Sequence, residues 1–323
     1  MSFARLQEKI DKLQNPTVVG LDPELSYIPT QILKRYYDEH GETLEAASMA
    51  VVEFNCGLID AVCDIVPAVK PQSAYYEMLG PYGVMALHKT CEYAKQKGMY
   101  VIIDGKRNDI GSTAAAYSAA YLGTVKVGET EYMPFHADAL TVNAYLGSDG
   151  IKPFIETAKM HDKAVFALVR TSNPSAGELQ DKIITNPKTS TREPSPSTYS
   201  DSLVSQTLYT AVGDLMEEIS KDTIDKYGYT CVGAVVGATY PEESKLLRER
   251  LKNTFFLVPG YGAQGGSAES AANAFDKNGK GAIINSSRAI ITAWKKSGDD
   301  YTTAAREEAI KMRNELQKVL KNK

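Results

Sequence analysis

The sequence predicts a (β/α)₈ barrel built as one domain, and three observations predict it. Eight short apolar runs recur along the 323 residues, at 18–21, 66–69, 99–103, 139–142, 164–169, 231–236, 255–258 and 281–284. Each ends in a polar or glycine-rich turn, and the segments between them carry helical apolar spacing. Continuous apolar runs of this length read as parallel strands covered on both faces. Eight strand–helix units are the number that closes such a barrel. Strand number alone does not dictate closure, so a doubly wound open sheet is the competing architecture.

The intervening helices follow in order. Val51, Phe54, Leu58, Val62 and Ile65 trace one helical face after the first strand, and Val204, Leu208, Val212 and Leu215 trace another before the sixth. Pro241-Glu242-Glu243 opens the next helix with a proline and acids where its N-terminus favours them. Ala305, Ala309, Met312 and Leu316 form the apolar face of the last helix. The rhythm breaks at residues 172–200, a polar, proline-punctuated stretch too long for a simple loop. It follows the fifth strand, on the catalytic face of a barrel, where it is either a lid or a surface insertion.

Bulk properties exclude several classes. The chain is 43% apolar and 24% charged, with a formal charge of −4 and no block of basic residues. Such a surface offers no electrostatic footprint for nucleic acid or an anionic membrane. No stretch approaches the ~18 apolar residues of a membrane span, and Met1 to Leu13 lacks the apolar core of a signal peptide. Cys56, Cys63, Cys91 and Cys231 are isolated, with no Cys-x-x-Cys pair or histidine at ligand spacing. That predicts neither disulfides nor a metal site, and a cytoplasmic protein.

Barrel chemistry collects where the strands end. The first run ends in Asp22, the second in Lys70-Pro71-Gln72, and the third in Asp104 and Lys106. The fourth ends in Asn143 and the fifth in Arg170-Thr171-Ser172-Asn173. The seventh leads into the glycine-rich Gly260–Gly266, and the eighth into Asn285-Ser286-Ser287-Arg288. Asp104 and Lys106 are two apart, so on an extended strand they project to one side, with Asp109 a helical turn beyond if the chain bends there. A lone Asp-x-Lys is ordinarily a solvated ion pair. Here it terminates Tyr100-Val101-Ile102-Ile103, and neighbouring strands also end in charge, which points to an active-site mouth holding Lys70 as well.

The glycines of 260–266 let backbone N–H groups approach an anion, Gln264 adds a donor, and Ser267 begins the following helix. Arg288 lies after the eighth strand, and the loops after strands seven and eight are the usual phosphate site of these barrels. A phosphorylated small-molecule substrate is therefore expected. Asp22, followed by Pro23, either caps the next segment or holds ribose hydroxyls; Ser172-Asn173-Pro174 is either an Asx-type turn or a substrate contact. His40, His88, His136 and His161 are scattered and read as structural.

From Val18 to Arg288 the chain resembles the orotidine 5′-phosphate decarboxylases, in particular their longer bacterial subgroup. The most specific element is Asp104-x-Lys106-x-x-Asp109-Ile110 with Thr113 beyond and Lys70 before. Gly20-Leu21-Asp22-Pro23, Thr171-Ser172-Asn173-Pro174, Pro259–Gly266 and Ser287-Arg288 support it, whereas Ser175 stands where the family usually has glycine. The resemblance implies cofactor-free decarboxylation of orotidine 5′-monophosphate to UMP in de novo pyrimidine biosynthesis. It implies Lys106 as proton donor to C6, Asp104 against the substrate carboxylate, and Lys70 orienting the charges and bonding the ribose. Asp22 would bind ribose, Ser172 the pyrimidine, and Gln264 and Arg288 the phosphate. Asp109 and Thr113 would reach the partner's active site in a homodimer. Two alternatives stay open: a Mg²⁺-dependent sugar-phosphate decarboxylase or aldolase using Asp104 as a ligand, and a non-catalytic nucleotide-binding barrel.

Overall fold

Every one of the eight predicted runs overlaps a strand of one closed, parallel barrel, β1 Thr17–Leu21, β2 Ala68–Pro71, β3 Tyr100–Arg107, β4 Ala139–Val142, β5 Ala164–Arg170, β6 Val232–Val236, β7 Phe256–Val258 and β8 Ala282–Ser286. The computed structural model describes residues 2–187, 203–262 and 265–321. Each strand pairs in parallel with its sequence neighbours, and β8 closes onto β1 with Thr17 opposite Ile284 and Val19 opposite Ser286. Closure rules out the open sheet. β2 starts later than its apolar run because the Val66 N–H still closes a helical turn onto Val62 O at 2.8 Å, and Pro67 has no N–H for a ladder.

Two apolar layers result. Outside the barrel, the helix Leu44–Val62 buries Val51, Phe54, Leu58 and Val62, and the last helix, Tyr301–Leu320, buries Ala305, Ala309, Met312 and Leu316. Gly57 lets these two helices meet, since a Cβ there would fall 1.9 Å from the Tyr301 hydroxyl oxygen. Inside, Tyr100, Ile102, Phe166, Leu257 and Ile283 fill the barrel together with Phe3, Leu6 and Ile10 of the helix Ser2–Leu13. That helix plugs the N-terminal end of the barrel, with Phe3 stacked on Phe255 at 5.0 Å between ring centres.

The helix before β6 is displaced from its predicted phase. It spans Leu208–Ser220 and buries Tyr209, Gly213 and Met216, whereas Leu215 is exposed and Val204 belongs to a strand, Leu203–Thr207. Gly213 fits closely under Leu251, 2.8 Å from where a Cβ would stand. Tight approach, not a leucine stripe, defines the buried face.

The insertion after β5 is partly regular. Pro174–Ala176 and Gly177–Gln180 form short helical turns, and Ile183–Pro187 pairs antiparallel with Leu203–Thr207. Residues 188–202, which take in the latter part of the predicted 172–200 insertion, lie outside the described residues. None of the four histidines lines the cavity at the strand ends; His88 Nδ1, for example, is bound to Pro134 O at 2.6 Å.

The plug is pinned electrostatically. Asp138, just before β4, has a side chain 1% exposed and accepts from Arg5 at 3.0 Å and Lys95 at 2.8 Å, and from the Val101 N–H at 3.0 Å. Burial raises its pKa, but the Lys95 and Lys163 charges and the hydrogen bonds from Lys95 and the Val101 N–H together outweigh burial and hold the carboxyl below its usual range. Removing one member of a buried pair leaves the others desolvated. Asp138→Ala is expected to lower unfolding free energy by about 3 kcal/mol in urea denaturation, while leaving the distant strand-end cavity able to bind ligand.

Candidate active site

The C-terminal ends of the strands surround a cavity of about 600 Å³. Its floor is set by β3. Asp104 is still within the strand, but between Ile103 and Arg107 the register to β4 shifts, and Lys106 adopts a left-handed backbone with φ of 47°. Non-glycine residues enter that region at a cost and need support. Thr141 of β4 supplies it: its hydroxyl oxygen accepts the Lys106 N–H at 2.9 Å and donates to Asp104 Oδ1 at 2.8 Å.

The Asp104 carboxylate is fully engaged. Lys70 Nζ and Gln72 Nε2 donate to Oδ2 at 2.8 and 2.9 Å, and Lys106 Nζ donates to Oδ1 at 2.6 Å beside Thr141. Burial alone would raise its pKa, but the ammoniums of Lys70 and Lys106 hold it well below the usual carboxylate range. Lys70 has the mirror-image balance. Burial opposes its charge, yet Asp104 and Asp22 keep it protonated and shift it upward. A salt bridge this deep requires both signs, and each side supplies the other's counter-charge.

Asp22, at the end of β1, is the second acid of this mouth. Burial raises its carboxyl pKa, partly opposed by Lys70, and its Oδ1 is buried with no hydrogen-bond partner among the described residues. A buried acceptor on a cavity wall without a donor is suited to a donor from the ligand. Gly20 allows the adjoining wall to close, because a Cβ there would stand 1.8 Å from Ser287 Oγ.

Lys70, Asp104, Lys106, Asp22, Ser172 and Arg288 all line this one cavity. Asp109 and Thr113 do not. β3 continues to Arg107 and the next helix starts only at Gly111, so no helical turn carries Asp109 back over Lys106. Asp109 instead accepts its neighbour's N–H, from Ile110, at 2.7 Å, and Thr113 is exposed on the first turn of Gly111–Tyr121. Asn143 is likewise absent from the lining, where Thr141 takes its place. Gln264 lies outside the described residues. Sequence reasoning also gave no role to Gln72, Gln180, Asn285 or Ser287, which line the cavity. Strand alternation was the usable signal for Thr141, since Ala139, two residues earlier, faces the barrel interior.

No group of three or more His, Cys, Asp or Glu side chains suited to a metal ion occurs among the described residues. Nor is any described helix long and apolar enough to cross a membrane.

A closed (β/α)₈ barrel with paired acids and ammoniums at the floor of a strand-end cavity defines a barrel enzyme for a small, anionic substrate. Residues 18–299 match the model of the orotidine 5′-phosphate decarboxylase / HUMPS family. The chain belongs to that family. An orotidine 5′-phosphate decarboxylase of Rhodopirellula baltica is 42% identical over 95% of this chain and 93% of its own length. One from Clostridium novyi is 38% identical over 97% of each. Among solved structures, Leishmania donovani OMP decarboxylase superposes with a TM-score of 0.67 at 27% identity, covering 98% of each chain.

The raised pKa of Asp22 has a stability consequence. The folded state holds this proton more tightly than the unfolded chain, so the carboxylate costs stability progressively as pH rises from the ordinary value through the raised one, and the cost persists above it. In the unliganded protein, Asp22→Asn is expected to raise the melting temperature at pH 7, with the gain shrinking as pH falls towards the ordinary value of 3.8. A lower melting temperature at pH 7 would contradict the sign.

Proposed function

We propose that Lys106 delivers the proton to C6 as orotidine 5′-monophosphate loses CO₂, with Asp104 and Lys70 setting its position and no cofactor taking part. The chain decarboxylates orotidine 5′-monophosphate to UMP in pyrimidine biosynthesis, as its family and its relatives over nearly the full length indicate. The observation that carries the catalytic roles is the Lys70–Asp104–Lys106 array at 2.8 and 2.6 Å on the cavity floor.

Breaking the C6–carboxylate bond leaves its electron pair in the ring plane at C6, without a conjugated sink. The site must therefore stabilise that charge electrostatically. A proton from the Lys106 ammonium moves to C6, and CO₂ departs. Asp104 beside the substrate carboxylate contributes repulsion of about 4 kcal/mol at ~4 Å and an effective dielectric near 20. That corresponds to at most roughly three powers of ten in rate, so the Lys106 charge and remote binding energy carry the larger share. Arg288 suits the phosphate, and the unpartnered Asp22 Oδ1 suits the ribose hydroxyls. Ser172 meets the pyrimidine, and Gln264 joins Arg288 on the phosphate.

Two features weigh against Mg²⁺ chemistry at Asp104. Both carboxylate oxygens already accept two donors each, and two of those four donors are ammoniums that a cation would have to displace. We place the protein in the cytoplasm, consistent with its four unpaired thiols.

Asp109 and Thr113 lie outside the lining of their own cavity, and Ile110 between them is 63% exposed. That supports a homodimer in which they complete the partner's site.

Lys106→Ala is expected to lower decarboxylation by about 10³-fold or more, given the usual weight of a positioned proton donor, while loss of pyrimidine absorbance by the unaltered protein is insensitive to EDTA. Near-normal turnover by the variant would refute the proton donor. Mixing Lys106→Ala with Asp109→Ala protein, each inactive alone, is expected to restore activity in hybrid dimers. No recovery after confirmed subunit exchange would place Asp109 in its own subunit's site.

A further inference from the structure

Lys106 stands on a peptide unit that lies where the ladder slips. β3 pairs with β4 at Ile103 opposite Leu140 and again at Arg107 opposite Val142, so three residues, Asp104 to Lys106, lie against the single residue Thr141. The peptide joining Gly105 to Lys106 falls inside that bulge. Because the peptide is planar, its orientation relative to the Lys106 Cα is the φ angle of Lys106. Whatever holds this plane holds the left-handed backbone from which the lysine projects.

Both polar ends of the plane are held by side chains, and the atoms fix the direction of each bond. On the cavity side the Lys106 N–H donates to Thr141 Oγ1 at 2.9 Å; at the other end the Gly105 carbonyl oxygen accepts from Arg107 Nη1, also at 2.9 Å. A guanidinium only donates and a carbonyl oxygen only accepts. Arg107 does not line the strand-end cavity. Its side chain is 22% exposed and is gripped by two helices: Nη2 donates to the Tyr121 hydroxyl oxygen at 3.1 Å and to the Glu77 carboxylate, with the guanidinium 5.7 and 5.6 Å from the ring centres of Tyr117 and Tyr121. Tyr121 ends the helix Gly111–Tyr121, and Glu77 ends the helix Ser73–Glu77. The latter follows directly on β2, which carries Lys70.

We propose that Arg107 is a positioning residue for the decarboxylation, fixing the Gly105–Lys106 peptide from outside the barrel and so aiming Lys106 Nζ at Asp104 and C6. The inference rests on Lys106 being the proton donor. A non-glycine residue stays in the left-handed region only where its surroundings hold it. One bond, to Thr141, leaves the plane free to pivot; the second, at the opposite end, removes the pivot. Through Glu77, Arg107 also refers Lys106 to the element next to Lys70, so the two ammoniums on Asp104 share one frame.

The test sets Arg107→Met, which keeps much of the side chain's length and loses every donor, beside Arg107→Lys, which keeps a cationic donor for the Gly105 carbonyl oxygen. Turnover of orotidine 5′-monophosphate is counted per UMP-binding site, so unfolded protein does not enter. Arg107→Met is expected to lower kcat by about tenfold to a hundredfold, the range for a reacting group misplaced by up to ~1 Å. The Kd of UMP, measured by calorimetry on the full chain, should stay within about threefold, as for an interaction that matters in the transition state. Arg107→Lys is expected to recover most of the lost kcat.

Unchanged kcat in Arg107→Met, equal losses in the two variants, or a loss of UMP affinity as large as the loss of kcat would each overturn the proposal; the last two are what a clamp serving only the fold produces. If Arg107→Met does not fold, Glu77→Gln releases the guanidinium from one of its anchors and is expected to lower kcat about threefold, the weight of a partly exposed ion pair, again at constant UMP affinity, and no change would count against Arg107. Near-normal turnover by Lys106→Ala removes the proton donor itself. An impaired Lys106→Ala beside an unimpaired Arg107→Met removes only the role given to Arg107.

Discussion

The site depends on one carboxylate held between two ammoniums. Asp104 is buried, and burial by itself would neutralise it; Lys70 on the neighbouring strand and Lys106 two residues on keep it charged. Lys70 in turn is tolerated at the barrel floor because Asp104 and Asp22 face it. Each charge is present because of the others, so the three have a single arrangement in which all are satisfied. That rigidity is what a reaction without an electron sink requires, since charges fixed before the reaction need no reorganisation during it.

The backbone is shaped to the same end. β3 does not simply stop; it shifts register and turns Lys106 into a left-handed conformation, and a threonine on the next strand holds that turn while also bonding Asp104. A regular strand would place Lys106 by pleat alone. The distorted one places it by a hydrogen bond to the group it must face. Around the rim, Asp22 carries the opposite kind of preparation, a buried oxygen left without a donor.

Much of this was legible in the sequence because of how parallel barrels are built. Strands covered on both faces must be apolar throughout, so all eight stand out as runs, and the polar residues at their ends stand out by contrast. Lys70, Asp104, Lys106, Asp22 and Arg288 were found that way. Thr141 was not, because one hydroxyl inside an apolar strand looks like ordinary β-propensity. Only the resemblance separated Asp109 from its own mouth, because nothing in Arg107-Asn108-Asp109-Ile110 says that the helix waits until Gly111. Gln180 sits in a polar insertion among residues of similar character, and its partner Thr171 comes near only through folding. Contacts of that kind leave no periodic trace.

The helix Ser2–Leu13 gives the barrel a sealed base. Phe3, Leu6 and Ile10 meet Tyr100, Phe166 and Phe255 there, and the lower half of the barrel is packed side chain. Among the described residues, the base is closed and the cavity opens at the strand-end rim. On the proposed placement of the substrate over Lys106 and Asp104, carbon dioxide and nucleotide would share that rim as their route, and their order of departure would be settled there.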